Sequence, residues 1–197
     1  AKVNNKVCGM NLCLYHNKDV EFLDMHSSSA QRNYTRTLFF ILCKAVHDLY
    51  PGSEVVIDIP VSNGYYINLK VGHEVSEEDA VRVRERMQQI IDAKIPIVRY
   101  QVPTEDAIEM FEQKGDEAKV KLLRSIGSLY TVYHQIDDYV DYYYGSLLPN
   151  TGDIYLFGLE KYYEGLLLRI PSKENPAKLG ELIRQDKMFE VFLEQHR

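Results

Sequence analysis

One stretch constrains this chain more than any other. From Tyr34 to Tyr50 the apolar residues Leu38, Phe39, Ile41, Leu42, Ala45, Val46 and Leu49 recur at the period of an α-helix, and Pro51-Gly52 ends the run. The apolar arc is too broad for a helix resting on a surface, so the spacing predicts a helix buried at the centre of the fold. Such a helix has to be covered on several sides, and the next residues supply covers. Glu54–Ile59 and Tyr65–Val71 are β-prone runs separated by Pro60 and Ser62-Asn63-Gly64, which predicts a hairpin. Ser76 reads as the cap of a second helix, with Glu77, Glu78 and Asp79 at its positive end and an apolar stripe of Ala80, Val83, Met87, Ile90 and Ile91.

Ile97–Val102 follows as a strand. Pro103-Thr104 starts a short helix with Ala107, Ile108 and Phe111, and beyond the charged link Lys114–Glu117 a further short helix ends near Arg124. Four strands are then predicted at Ser128–His134, Tyr139–Tyr144, Ile154–Gly158 and Gly165–Ile170, with Pro149-Asn150-Thr151-Gly152 as the clearest turn. Asn175-Pro176 opens a last helix carrying Leu179, Leu182, Ile183, Phe189, Phe192 and Leu193 on one side. Helices and strands do not alternate regularly, so the order predicts an α+β fold, an antiparallel sheet packed on the long central helix. Residues 1–25 read as a small β piece, with Val3 and Val7 about an Asn4-Asn5 turn and Asp19–Met25 partly alternating. So short a piece cannot form a core of its own. The division expected is a β remnant at 1–25, the α+β domain at 26–171, and at 172–197 a linker helix towards a further C-terminal domain.

Composition narrows the function classes. The chain has 197 residues, with 23 Lys+Arg against 29 Asp+Glu and a net charge of −6, which excludes nucleic-acid binding by bulk charge. A local basic strip from Lys114, Lys119, Lys121 and Arg124 remains open. Runs such as Leu38–Cys43 fall far short of the roughly 18 apolar residues of a membrane span. Cys8, Cys13 and Cys43 are too few and scattered for a disulfide framework, and AKVNNKV lacks the apolar core of a secretory signal. Both predict a cytoplasmic protein with reduced thiols. The missing initiator Met means either that it was removed or that the chain is a piece of a longer one, the second being the expectation. Fifteen tyrosines and no tryptophan suit a half-wet sheet face or a lined cleft. No GxxxxGK[ST], GxGxxG or GxSxG motif occurs, and the six histidines and three cysteines show no HxxxH, HExxH or CxxC spacing. No catalytic residue, cofactor or metal is expected within these residues.

Three stretches carry a resemblance. AVHDLYPGSEVVIDIPVSNGYYINL (Ala45–Leu69) is similar to the start of the second N-terminal, editing-type domain of threonyl-tRNA synthetases, where a long helix ending in LYP precedes a hairpin with a Gly-aromatic-Tyr segment. SEEDAVRVRERMQQIIDAKIPIVRYQVPTEDAIEMF (Ser76–Phe111) resembles that domain's helix, strand and helix. IDDYVDYYYGSLLPNTGDI (Ile136–Ile154) resembles its segment with an Asp ahead of a Cys-x-Gly-x-His-type motif and then Pro-x-Thr-Gly. Residues 1–25 look like the end of the TGS domain that precedes it.

The resemblance implies a domain able to hydrolyse mischarged tRNA, with a metal held by HxxxH on the long helix and CxxxH near the meander. Aligning on LYP puts Arg36 and Phe40 at the two histidine positions, and aligning on Pro-x-Thr-Gly puts Tyr143 and Leu147 at the Cys and His positions. None of these four is a metal ligand of that kind. Two consequences are expected. Either Tyr34, Arg36, Tyr65, Tyr66, Asp141, Tyr143 and Tyr144 line a pocket for a small anionic or nucleoside ligand, or Arg36 pairs with Asp141 and the tyrosines fill a defunct cavity. The Tyr34-Thr35-Arg36-Thr37 element and the ending FEVFLEQHR also resemble bacterial proteins in which such a region precedes a uridine-kinase-type nucleoside kinase. By that likeness the chain is a metal-free regulatory region, its partner is its own C-terminal domain, and ATP and Mg belong only to that absent part. The alternatives are an editing hydrolase using Asp141 or His134 with Tyr143, and a tRNA-binding appendage.

Overall fold

The computed structural model describes residues 1–61, 63–143, 145–182 and 186–195. The Ser62 turn position, Tyr144, Ile183 and the Gln195-proximal end of the chain at 196–197 lie outside them. Strands β1 (Lys2–Val3), β2 (Lys6–Val7) and β3 (Val20–Glu21) form a small antiparallel sheet in the order β2-β1-β3. Asn4 and Asn5 make its tight turn in the left-handed region (φ 44° and 66°), which asparagine tolerates better than most side chains.

Helix α1 (Ser28–Leu49) runs 22 residues. It starts ahead of the apolar stretch because the Ser27 hydroxyl accepts the Ala30 N–H at 3.1 Å and caps it. Leu38, Phe40, Ile41, Leu42 and Ala45 are each fully buried, as the broad arc requires. Strands β4 (Glu54–Val61) and β5 (Gly64–Lys70) form the hairpin, with a register irregularity between Ile57 and Pro60, where proline has no N–H to give a ladder. Helix α2 (Glu77–Asp92) is closed by a reciprocal box between Ser76 and Asp79. Burial pushes the Asp79 carboxyl up, but hydrogen bonds from Tyr50, the Ser76 backbone, His73 and the Ser76 hydroxyl outweigh it and hold it far below the usual carboxylate range.

Strand β6 (Val98–Pro103), helices α3 (Thr104–Gln113) and α4 (Glu117–Ile126), and strands β7 (Tyr130–Ile136) and β8 (Tyr139–Tyr142) come next. After a 3-10 turn at Thr151–Asp153, β9 (Gly158–Tyr162), β10 (Gly165–Arg169) and α5 (Asp186–Gln195) complete the chain. The fold is α+β with antiparallel sheets. There are two around α1 instead of one: a four-stranded sheet β4-β5-β10-β9 and a three-stranded sheet β6-β7-β8. The main core joins α1 and α2 to Ile67, Leu166 and Leu168 of the first sheet and Ile136 of the second. The opposite face of the second sheet packs on Ala107 and Phe111 of α3 and Val120 and Leu123 of α4. No helix among the described residues is long and apolar enough to cross a membrane.

Two predicted elements differ. Ile154–Phe157 is not a strand, because the Tyr155 and Leu156 N–H groups bond to the Tyr34 hydroxyl at 3.2 and 2.9 Å instead of to a neighbouring strand. The last helix begins at Asp186, not at Asn175. The Asn175 side chain accepts from Ala177 N–H at 3.3 Å in a local turn, and the chain then doubles back, with Ser172 N–H on Lys178 O and a bridge between Pro171 and Leu179. Phe189 and Phe192 still face inward, onto Tyr66 and Tyr162 on the outer face of the four-stranded sheet.

Candidate functional site

The first half of α1 carries the residues of interest, and most of them fasten the 145–156 segment. Besides accepting the two N–H groups above, the Tyr34 hydroxyl donates to Leu156 O at 2.5 Å. Thr37 Oγ1 donates to Asn33 O at 2.7 Å and accepts the Leu148 N–H at 2.8 Å. Asn33 Oδ1 accepts from Ser146 Oγ at 3.1 Å and from Arg36 Nη1 at 3.4 Å. The Arg36 guanidinium lies directly over Gly145, where a Cβ would overlap it, so only glycine fits there without displacing the arginine. At the far end of the segment Thr151 donates to Ile90 O at 2.8 Å and accepts the Ile95 N–H at 2.9 Å, tying it to α2.

The four positions aligned with metal ligands come together here. Phe40 meets Tyr143 edge to face with centroids 5.8 Å apart and Tyr139 at 5.4 Å. Phe40 is fully buried and Leu147 is 7% exposed in the same core. Arg36 sits one helical turn before Phe40, over Gly145 between Tyr143 and Leu147. A metal of the kind the resemblance implies does not fit this set: phenylalanine and leucine have no donor atom, and a guanidinium keeps its protons. Burial pushes the Tyr143 hydroxyl well above the usual tyrosine range, reinforced by Cys43 and Asp141, so it holds its proton too. Among the described residues no three of His, Cys, Asp or Glu group as a metal site would need.

Of the seven residues offered as one pocket, Tyr144 lies outside the described residues and the other six are divided by the structure. Tyr34, Arg36 and Tyr65 share a cleft of about 440 Å³. Tyr66 does not join them. Successive strand residues face opposite ways, and Tyr66 packs on Phe189 at 4.7 Å while Tyr65 meets Phe39 at 4.9 Å across the sheet. Tyr143 lines a different cleft, of about 950 Å³, between residues 7–13 and the three-stranded sheet. Asp141 is buried and pairs with Lys119 at 3.1 Å, accepting also from Tyr139 at 3.1 Å; its partner is therefore Lys119 and not Arg36.

Neither candidate base has the setting general-base chemistry needs. The Asp141 oxygens are taken by Lys119, Tyr139 and the Tyr142 N–H. His134, only 2% exposed, is pushed down to about 4 by burial and then by the Arg99 charge, which leaves it a weak base at neutral pH. Cys43 is no nucleophile, since burial and the Asp141 charge push its thiol up to about 12. Of the cations of the basic strip, Lys119 bonds Asp116 and Asp141, Arg124 bonds Glu112 at 2.6 Å and Lys114 bonds Asp138 O, so only Lys121 faces solvent without one of these anchors.

With this geometry in place, comparison with known proteins becomes informative. No family model matches the chain. It is similar to part of threonine–tRNA ligase. The likeness is 32% identity over 155 residues for the ligase of Natranaerobius thermophilus and 29% over 154 for that of Syntrophomonas wolfei, 78% and 77% of this chain. With the ligase of Syntrophotalea carbinolica it is 27% along the whole chain. The chain spans about a quarter to a third of the length of these relatives (24%, 24% and 33%). Sequence likeness to the ligase and an α+β fold with antiparallel sheets are together consistent with an editing-type domain. Motifs had pointed to the ligase and to the four aligned positions. The fastening roles of Tyr34 and Thr37 had no sequence signal beyond polar residues on an otherwise buried helix face, and that of Gly145 had none.

Proposed function

We propose that this chain is a non-hydrolytic relative of the ligase's editing-type domain, retained as a regulatory and ligand-binding region ahead of a uridine-kinase-type nucleoside kinase. One observation carries the non-hydrolytic reading: of the positions that the resemblance aligns with metal ligands, Phe40 and Tyr143 meet edge to face and Leu147 is buried in the same core. A site whose ligand positions have become packing has no vacancy for an ion, and four changes cannot be repaired by one neighbour. The kinase context is supported by the likeness of Tyr34–Thr37 and of the 189–197 ending to proteins of that organisation. ATP and Mg would act in that other part. The test is elemental analysis and a deacylation assay on serine-mischarged threonine tRNA. No stoichiometric zinc and no deacylation are expected; one zinc per chain, or zinc-dependent hydrolysis, overturns the reading.

A further inference from the structure

The cleft between the start of α1, Tyr65 of β5 and the Pro171–Lys173 segment has a charge out of keeping with the rest of the molecule. Arg32, Arg36 and Lys173 line it and no carboxylate does, in a chain whose net charge is −6. Several cations that lean on the fold have anions: Lys44 has Asp48 at 2.6 Å, Arg86 has Asp48 at 2.7 Å and Lys119 has Asp116 at 2.8 Å. The two cleft arginines bond only neutral oxygens, Ser29 Oγ at 3.3 Å and Asn33 Oδ1 at 3.4 Å, and none of the three cations is in a salt bridge among the described residues. The first turn of α1 holds no acidic residue either. Three like charges around one hollow repel one another unless an anion joins them.

The remaining wall is aromatic. Phe39 and Tyr65 meet at right angles, both half-buried, beside the Tyr34 ring, and the volume of about 440 Å³ falls in the range of small-molecule pockets. From this geometry we infer that the cleft binds a phosphomonoester carrying a flat ring, the chemistry of a nucleoside 5′-monophosphate. This deepens the ligand-binding part of the reading above and rests on it. Two guanidinium forks and an ammonium match the three oxygens and two negative charges of a phosphomonoester better than a single carboxylate. The aromatic pair supplies a face for the ring.

Calorimetric titration of the chain with ribonucleoside 5′-monophosphates, the same nucleosides without phosphate, and inorganic phosphate tests this. Saturable binding of at least one monophosphate is expected, with nucleoside and phosphate each about tenfold weaker or more, as loss of a charge-assisted contact implies. Lys173→Glu and Arg32→Glu, both at exposed positions that leave the core alone, should each weaken binding about tenfold, while Lys121→Glu outside the cleft leaves it unchanged. No saturable binding, or binding unaffected by the cleft variants, overturns the assignment. So does a short RNA that binds far more tightly than any mononucleotide, since the cleft would then serve a polymer. Zinc content and deacylation are measured on the same preparation. A cleft that fails to bind in a protein that also fails to hydrolyse overturns this assignment alone, whereas hydrolysis overturns the reading beneath it.

Discussion

His134 is the group through which this fold should respond most clearly to pH. It lies in the middle strand of the three-stranded sheet, opposite Arg99 on one side and Asp141 on the other, and is 2% exposed. Its Nδ1 is buried without a hydrogen-bond partner among the described residues. Burial first, and the Arg99 charge second, push the imidazole down to about 4 from an ordinary 6.5. The unfolded chain therefore takes up a proton near pH 6.5 that the folded chain refuses until about pH 4. The stabilisation from keeping this histidine neutral is complete above about 6.5 and is lost as pH falls through that interval; below about 4 it contributes nothing further. At about 1.36 kcal/mol for each pH unit the full interval is worth about 3 kcal/mol, and water in the adjoining cleft screens it to about 2–3 kcal/mol. Urea denaturation of the wild type and of His134→Gln at intervals from pH 7.5 to 4.5 measures the difference directly, because carboxylates contribute alike to both. The wild type should lose stability steeply over this range and the variant much less. Parallel profiles would refute the reasoning, since they would mean that the buried imidazole accepts its proton as readily in the folded protein as in the unfolded one.

Two further outcomes test the fastening of the 145–156 segment and the packing of the former ligand positions. Phe40→Ala removes a fully buried ring in contact with Tyr139 and Tyr143 and should cost about 3–5 kcal/mol in the same denaturation assay, a loss of 1 kcal/mol or less arguing that position 40 is not core. Tyr34→Phe keeps the ring but strands the Tyr155 and Leu156 N–H groups, so it should cost about 1–3 kcal/mol and speed amide exchange at those two residues; unchanged exchange would show that the hydroxyl is not their anchor.

What the sequence made legible followed from period and punctuation. α1, α2 and the β4–β5 hairpin were readable because each has a long run of one period bounded by a cap, a Pro-Gly or an Asn-Gly. The likeness to the ligase could be read because it is carried by the order and spacing of several motifs along the chain. The Ile154–Phe157 strand and the early start of the last helix were misread for one reason: Tyr34 and Asn175 satisfy local backbone groups with side-chain atoms, which no periodicity reports. The pocket was misjudged differently. Tyr65 and Tyr66 are neighbours in sequence but lie on opposite faces of β5, and only knowing that both faces are covered, one by α1 and one by α5, shows where each ring goes. Lys119 as the partner of Asp141 joins a helix to an edge strand, a pairing no spacing encodes.

Arg36, Phe40, Tyr143 and Leu147, the four positions that the resemblance aligns with metal ligands, do not share one setting. Phe40 and Leu147 have become packing, and Tyr143 supplies an edge to Phe40 while its other surface lines the larger cleft. Arg36 alone carries a charge. It lies over Gly145, bonded to Asn33, and with Arg32 is among the residues that line the smaller cleft. Phe40 is core, Tyr143 and Leu147 border the larger cleft, and Arg36 lines the smaller one. A buried cation with no such outlet would have needed an acidic partner, and Asp141, the nearest candidate by sequence, is held by Lys119. Among the described residues no carboxylate lines the smaller cleft, so the Arg36 charge is met there by Asn33 and by water or a bound anion.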